Sequence, residues 1–243
     1  MSVELHLGDC LDVMRGMDDG SVDAVIADPP YLTGDARVPI RGRGVVARRT
    51  ESESVGIPWG YSVEWMHEAA RLMPKHWIVF CHYLMLGDVC SILARYAKVS
   101  AVFTWLKRNA PRMTRPVPRL DTEFIVWARA NGARCGRMGE FTSTVIDVPM
   151  LQAGCFATER ILKPDSGEAA HPCQKPLAVV QPFVDRLPIK SVLDPHMGTG
   201  TTGVACVRAG RRFIGVDNDP VSYAIAERRI AEAQMQPPLW EVA

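Results

Sequence analysis

Residues 22–27, VDAVIA, form an apolar run bounded by acids and by a proline pair, and they end directly against Asp28-Pro29-Pro30-Tyr31. A strand with no regular polar alternation is buried on both faces, so it needs covering layers above and below. The two prolines remove two backbone N–H donors and fix φ, which sends the chain out of the strand along a stiff, extended path. A chain with such a strand near its start has to build a covered sheet around it.

The remaining sequence supplies that sheet. Residues 3–7 alternate as a short strand, and a brief helix over 11–17 is stopped by Asp18-Asp19-Gly20. Helical spacing over 62–72, a strand at 76–81 and a helix at 84–96 follow. Strands are expected at 99–106 and 123–128, a helix at 176–187, a strand at 191–194, a Gly/Ala-rich helix at 200–209, a strand at 212–217 and a long helix from 220 to about 234. Strands alternating with helices predict an α/β fold: a mostly parallel sheet, helices on both faces, and ligands at the carboxyl ends of the strands. One domain spanning 1–243 is expected. It carries a small insertion at about 130–170, where periodicity is weak, and a mobile Gly/Pro/Arg-rich loop at about 32–60.

Bulk properties exclude several classes. Hydrophobic residues at 47% and charged residues at 23% are ordinary globular values. No apolar run approaches the roughly 18–20 residues of a membrane span. The start MSVELHLGDC lacks the pattern of a secretory signal. The seven cysteines include no C-x-x-C pair and the histidines no ligand spacing, so neither a disulfide framework nor a metal is expected, and a reducing cytoplasm fits. Net charge is only +1, but its distribution is uneven. Arg37, Arg41, Arg43, Arg48 and Arg49 crowd one segment, opposed only by Asp35, and Lys107, Arg108, Arg112, Arg115 and Arg119 crowd another with no acid among them. Both lie among Pro and Gly and read as loops.

Asp28, Pro29, Pro30 and Tyr31 are the catalytic candidates. A carboxylate beside the Pro29 carbonyl offers two acceptors, which suits an aromatic amine whose two N–H donors both need partners. The lone pair of such a nitrogen is delocalised into the ring. Accepting both hydrogens as the nitrogen becomes tetrahedral stabilises charge that develops only in the transition state. Tyr31 can stack on a base drawn out of a duplex.

The second motif is Asp194-Pro195-His196-Met197-Gly198-Thr199-Gly200-Thr201-Thr202-Gly203, after a strand and opening a helix. Its glycines let backbone approach a ligand at a helix N-terminus. The next strand delivers Asp217, suited to accept ribose hydroxyls. The same glycines satisfy G-x-G-x-x-G, which raises a nicotinamide dinucleotide as competitor. Against it, Asp-Pro-His-Met separates strand from glycine and puts a carboxylate where a pyrophosphate would sit. That carboxylate suits a ligand with an ammonium and a sulfonium, S-adenosyl-L-methionine.

Together, Asp28-Pro29-Pro30-Tyr31, His171-Pro-Cys-Gln174-Lys175-Pro176, Asp194-Pro-x-x-Gly-x-Gly-Thr201 and Phe213-Ile-Gly-Val-Asp217 resemble the amino-group-specific (N6-adenine/N4-cytosine) DNA methyltransferases of the beta, permuted order, in which the catalytic motif precedes the cofactor motif. The resemblance covers 3–31 and 171–230 well, 61–128 loosely through Trp105-x-Lys107 and Glu123-Phe-Ile-Val, and 130–170 hardly at all. It implies a Rossmann-like methyltransferase sheet. It also implies cofactor contacts from Asp194, Pro195, His196, Gly198, Gly200, Thr201 and Thr202, from Asp217 with Asn218 at the ribose, and from Asp9 with Cys10 near the adenine. His171, Gln174 and Lys175 are implied to close over the methionine end. The family usually has an aromatic where this chain has His196, so weaker or pH-sensitive cofactor binding is expected. The Pro-Cys-Gln triplet also resembles the nucleophile motif of cytosine C5 enzymes, but it precedes the cofactor motif and lacks a Glu-Asn-Val partner, which leaves Cys173 a passenger.

The resemblance implies an enzyme of the cytoplasm of a bacterial or phage-infected cell, from a restriction–modification pair or standing alone. Double-stranded DNA is the expected partner, with a homodimer allowed. The D-P-P-Y form is commoner for adenine, which favours N6 methylation after base extrusion, and cytosine N4 is the alternative. RNA or another amine as acceptor, and a catalytically silent DNA-binding subunit, also stay open. Arginines in the two basic loops are expected to neutralise phosphates and to read guanine edges. Trp65, Trp77, Trp105 and Trp127 fall in helix or strand patterns and are expected in the core, while Trp59 lies in the long loop.

Overall fold

The computed structural model describes residues 2–30, 62–110, 121–151, 159, 161 and 173–236. Among these residues eight strands form one sheet: β1 (Val3–Leu7), β2 (Ala24–Ala27), β3 (His76–Cys81), β4 (Lys98–Leu106), β5 (Thr122–Arg129), β6 (Val145–Asp147), β7 (Ser191–Asp194) and β8 (Arg212–Asp217). Their spatial order is β1-β8-β7-β2-β3-β5-β4-β6. Every pairing is parallel except the two made by β5, which runs against β3 and β4.

Among the described residues, six helices cover the sheet: α1 (Cys10–Arg15), α2 (Glu64–Arg71), α3 (Leu86–Leu93), α4 (Leu177–Arg186), α5 (Thr201–Arg208) and α6 (Pro220–Met235). Local chemistry sets several of their ends. Asp9 caps α1 by accepting from the Leu11 N–H, and Asp219 caps α6 by accepting from Ser222, with Pro220 in the first turn where no N–H is needed. None of these helices is long and apolar enough to cross a membrane.

The central strands β2, β3 and β7 are buried on both faces, as the apolar run in β2 requires. Ala24 and Ile26 of β2, Ile78 and Phe80 of β3 and Val192 of β7 pack with α4, α5 and α6, through Phe183, Ala205 and Ile230. The alternate residues Val25, Ala27, Trp77, Val79 and Leu193 pack on the other face with α1, α2 and α3, through Met14, Trp65, Met66 and Val89. Trp65, Trp77, Trp105 and Trp127 are all buried.

From β7 the chain crosses through α5 to β8 on one side. From β2 it crosses through α2 to β3 on the other. The strand order therefore reverses between β7 and β2, and a crevice forms outside the carboxyl ends at that point.

The stretch expected as an insertion at 130–170 supplies, in its described part, a short 3-10 turn (Met138–Glu140) and β6, which extends the sheet edge beside β4. Val148 accepts from the Trp105 indole at 2.6 Å, and Met150 exchanges two 2.8 Å hydrogen bonds with Asn109. Residues 130–151 are thus fastened to the sheet. Sequence periodicity could not reveal β6, because three residues are too few to show a pattern.

Candidate active site

The crevice collects acids from five strands. Asp28 follows β2, Asp194 closes β7, Asp217 closes β8 and Asp9 lies just beyond β1, all at carboxyl ends. Glu123 arrives differently: β5 is antiparallel, so its amino end reaches the same edge. Adjacent strands β2 and β7 pair through Ala24–Val192 and Val25–Leu193, which sets Asp28 and Asp194 on neighbouring strand ends. The two Asp-Pro segments, some 165 residues apart in sequence, share one cleft on the order of a strand spacing wide.

Lys175 ties the halves together. Its Nζ lies 2.5 Å from Asp28 Oδ2 and 3.0 Å from Glu123 Oε1, while its carbonyl accepts from the Thr201 hydroxyl at 3.0 Å. The ammonium sits over the Phe80 ring at 5.6 Å. Burial alone pulls an ammonium's pKa down, but the carboxylates of Asp28 and Glu123 outweigh it and hold Lys175 protonated. Lys107 completes the chain, 3.2 Å from Glu123 Oε2. Lys175, expected at the methionine end of a cofactor, directs its side chain to Asp28, the candidate catalytic carboxylate.

Asp194 is almost fully buried at 3% exposure. Burial pushes its carboxyl up to about 7, against the opposing pull of the Thr202 hydroxyl and the His196 N–H, and nearby Asp28 and Asp217 add to the rise. A carboxylate so poorly compensated is suited to a cation. At Gly198, φ is +51° and an added Cβ would meet open space, so backbone is exposed to an incoming ligand there. Gly200, also left-handed at +79°, serves packing: its Cβ would fall 2.9 Å from Ala226 of α6. Thr199 and Thr201 are further held by Arg229 of α6.

Asp217 accepts from the Gly198 N–H at 2.8 Å and the Asp219 N–H at 2.9 Å, one on each oxygen, and burial raises its pKa despite them. Each oxygen keeps lone-pair capacity for a hydroxyl donor. The Gly8 N–H reaches the Asp217 carbonyl at 2.9 Å, which brings Asp9 and Cys10 beside it, and Asn218 is exposed next to it. The carboxylate of Asp9 already caps α1.

Several expectations change. His196 stands edge-on to Trp65 at 5.1 Å between ring centres, with Cys10 Sγ 3.8 Å from its Nε2. Burial drags its pKa down to about 4, so the ring is neutral near pH 7. Gln174 uses its amide on the backbone of Glu159 and Ile161, at 2.8 and 3.2 Å, and braces that segment. Lys107 turns inward to Glu123 and Arg108 pairs with Asp147, so tertiary structure supplies the acids that the local sequence lacks. Desolvation raises the Cys173 thiol, the wrong direction for a nucleophile. Tyr31, His171, Arg37, Arg41, Arg43, Arg48, Arg49, Arg112, Arg115, Arg119 and Trp59 lie outside the described residues. Glu123 was not singled out as a site residue. The signal available was one acid heading an otherwise apolar strand.

Residues 22–228 match the profile of the DNA methylase family of N6/N4 type. Among curated proteins, the chain is similar to the Type II methyltransferase M2.MboI of Moraxella bovis, 23% identical over 94% of this chain and 87% of that one. It is also similar to the Type II methyltransferase M.HinfI of Haemophilus influenzae, 24% identical over 95% and 68% respectively. Among solved structures, the fold is similar to that of M1.HpyAVI in its SAM complex, with TM-score 0.65 and 24% identity over 93% of this chain and 99% of that one. The cytosine-N4-specific PvuII DNA methyltransferase shares it at TM-score 0.62 and 14% identity, over 96% and 92%. With the profile spanning both Asp-Pro segments and the strands between them, the chain belongs to the N6/N4 DNA methylase family.

Proposed function

We propose that the chain transfers a methyl group from S-adenosyl-L-methionine to the exocyclic N6 of an adenine in double-stranded DNA. The observation that carries this reading is Lys175, whose side chain holds Asp28 while its backbone holds the glycine turn after β7. The amine-gripping and cofactor-binding segments are thereby fastened to one residue.

The residues present fit this cofactor. It supplies an electrophilic methyl on a sulfonium. Asp194 would face its cationic end, Gly198 would let its backbone come close, and Asp217 would take its ribose hydroxyls. Asp28 would accept one amine hydrogen and the Pro29 carbonyl the other. The charged lysine on Oδ2 fixes the plane of the Asp28 carboxylate that would accept from the amine. The nitrogen lone pair is then turned toward the methyl as the ring conjugation is lost, and the proton released afterwards leaves toward Asp28. Tyr31 would stack on the extruded base. The intact D-P-P-Y sequence supports adenine over cytosine. Loop 32–60 and the segment 130–170 are proposed to read the target sequence, and Arg37, Arg41, Arg43, Arg48 and Arg49 with Arg112, Arg115 and Arg119 to hold phosphates.

Nucleoside analysis of DNA methylated by the pure protein tests the base: N6-methyladenine is expected, and N4-methylcytosine alone would remove adenine. Asp28→Ala should abolish transfer while cofactor affinity survives. Persisting transfer would sink the mechanism.

A further inference from the structure

Two carboxylates share one buried ammonium at the head of this cleft, and the reaction as derived uses only one of them. Glu123 is 6% exposed and opens a strand whose following residues, Phe124 to Ala128, are apolar. Burying an acid there is unfavourable unless it is paired, and the Lys175–Asp28 contact would exist without it. Glu123 and Asp28 both touch Lys175 Nζ, at 3.0 and 2.5 Å, so the contacting oxygens are separated by no more than about 5.5 Å. On its far oxygen Glu123 meets Lys107, whose ammonium also lies over Trp105 at 5.4 Å. The chain of charges therefore runs Asp28, Lys175, Glu123, Lys107, alternating in sign and neutral as a set. Four separate elements contribute: the end of β2, the approach to α4, the amino end of β5 and the end of β4.

We infer that Glu123 is a positioning residue for methyl transfer: by sharing Lys175 it limits the ammonium's hold on Asp28, leaving that carboxylate oriented yet able to accept from the amine, while Lys107 sets how much of Glu123's charge reaches the cleft. This rests on the role proposed for Asp28. Without Glu123, more of the charge of Lys175 falls on Asp28 and weakens it as an acceptor. Without Lys107, Glu123 competes harder for Lys175 and Asp28 becomes more basic. Among the described residues, titratable groups facing the set include Cys81 and His82 at the end of β3, Cys173 beside Lys175, and Asp194 on β7. Cys81 and Cys173 are raised thiols and His82 is lowered by burial, so these three are neutral near pH 7.

The test is the pH profile of single-turnover methyl transfer in Glu123→Gln, Lys107→Gln and the double variant of the full chain, with cofactor affinity measured alongside. For Glu123→Gln the rate should fall on the order of ten-fold, with the acid limb displaced downward by about one pH unit, as expected for losing one charge within 6 Å at intermediate dielectric. Lys107→Gln should displace the limb upward. The double variant restores neutrality and should bring the limb back toward wild type. Cofactor Kd should change by less than about two-fold throughout, since only the transition state feels the difference. Limbs that stay in place, or move the same way in both single variants, overturn the inference. If Glu123→Gln does not fold, the upward displacement in Lys107→Gln decides the matter alone. An active Asp28→Ala protein would instead defeat the underlying reaction, which separates the two failures.

Discussion

The buried Asp194 makes cofactor binding and folding pull in opposite directions, and pH exposes the conflict. Its carboxyl has a reference value of 3.8 and stands at about 7 in the fold. That gap corresponds to ~4 kcal/mol of differential stability between protonated and ionised forms. Between roughly pH 4 and 7 the folded state holds a proton that the unfolded chain has lost, so this group's contribution to stability declines with rising pH and levels off above about 7. Replacing Asp194 by Asn keeps an oxygen for the Thr202 and His196 donors and removes the ionisation. At pH 8 the unliganded Asp194→Asn protein should be more stable by roughly 2–4 kcal/mol, and the gain should shrink as pH falls and largely vanish only near pH 4. For a chain of this length that is a Tm rise of roughly 5–10 °C at pH 8, readable by calorimetry. A cationic ligand needs the ionised form, so wild-type affinity for S-adenosyl-L-methionine should be about ten-fold weaker at pH 6 than at pH 8, with a proton released on binding at the lower pH. Asp194→Asn should bind more weakly at pH 8 and lose most of that dependence, the remainder belonging to Asp217. Titration calorimetry in buffers of different ionisation enthalpy measures both. Equal wild-type affinity at pH 6 and pH 8, or no stabilisation of Asp194→Asn at pH 8, would refute the reasoning.

Gly203→Ala would drive a Cβ to 2.3 Å from Ile230 and 2.7 Å from Phe213, and thermal melts should show a loss of about 1–3 kcal/mol. The His196 ring should show no protonation by NMR between pH 5.5 and 8, and it should titrate only near pH 4. Its stabilising neutral form is lost as pH falls from the usual histidine range through that value. Paired removal of Arg48 and Arg49 should reduce the slope of log K for DNA against log salt by about 2, whereas removing Arg108, already paired with Asp147, should change it by less than about 1. Equal effects would show that Arg108 leaves its partner to meet phosphate.

Most of the fold was legible because the strands other than β6 are apolar or alternating runs with clear punctuation. Residues 76–81, 191–194 and 212–217 come out as strands with the expected bounds. Helix ends were read less closely. The expected helix at 84–96 is Leu86–Leu93, because frayed turns at either end have the same composition as helix. In the site, Asp28, Asp194 and Asp217 were legible since each follows a strand and sits in a local motif. Glu123 was not, and Lys107 was read as part of a basic DNA-facing loop, because nothing in a local window tells an ion-paired buried charge from a solvated one.

Local sequence alone determined the covered sheet, the two Asp-Pro turns and the glycine turn, because apolar runs, prolines and glycines act through the few residues around them. Only tertiary structure decided that β2 lies beside β7, that the antiparallel β5 points Glu123 into the cleft, and that Lys175 reaches Asp28. Those facts depend on strand order and direction. They are set by how all the covered faces pack at once, and no segment carries that information by itself.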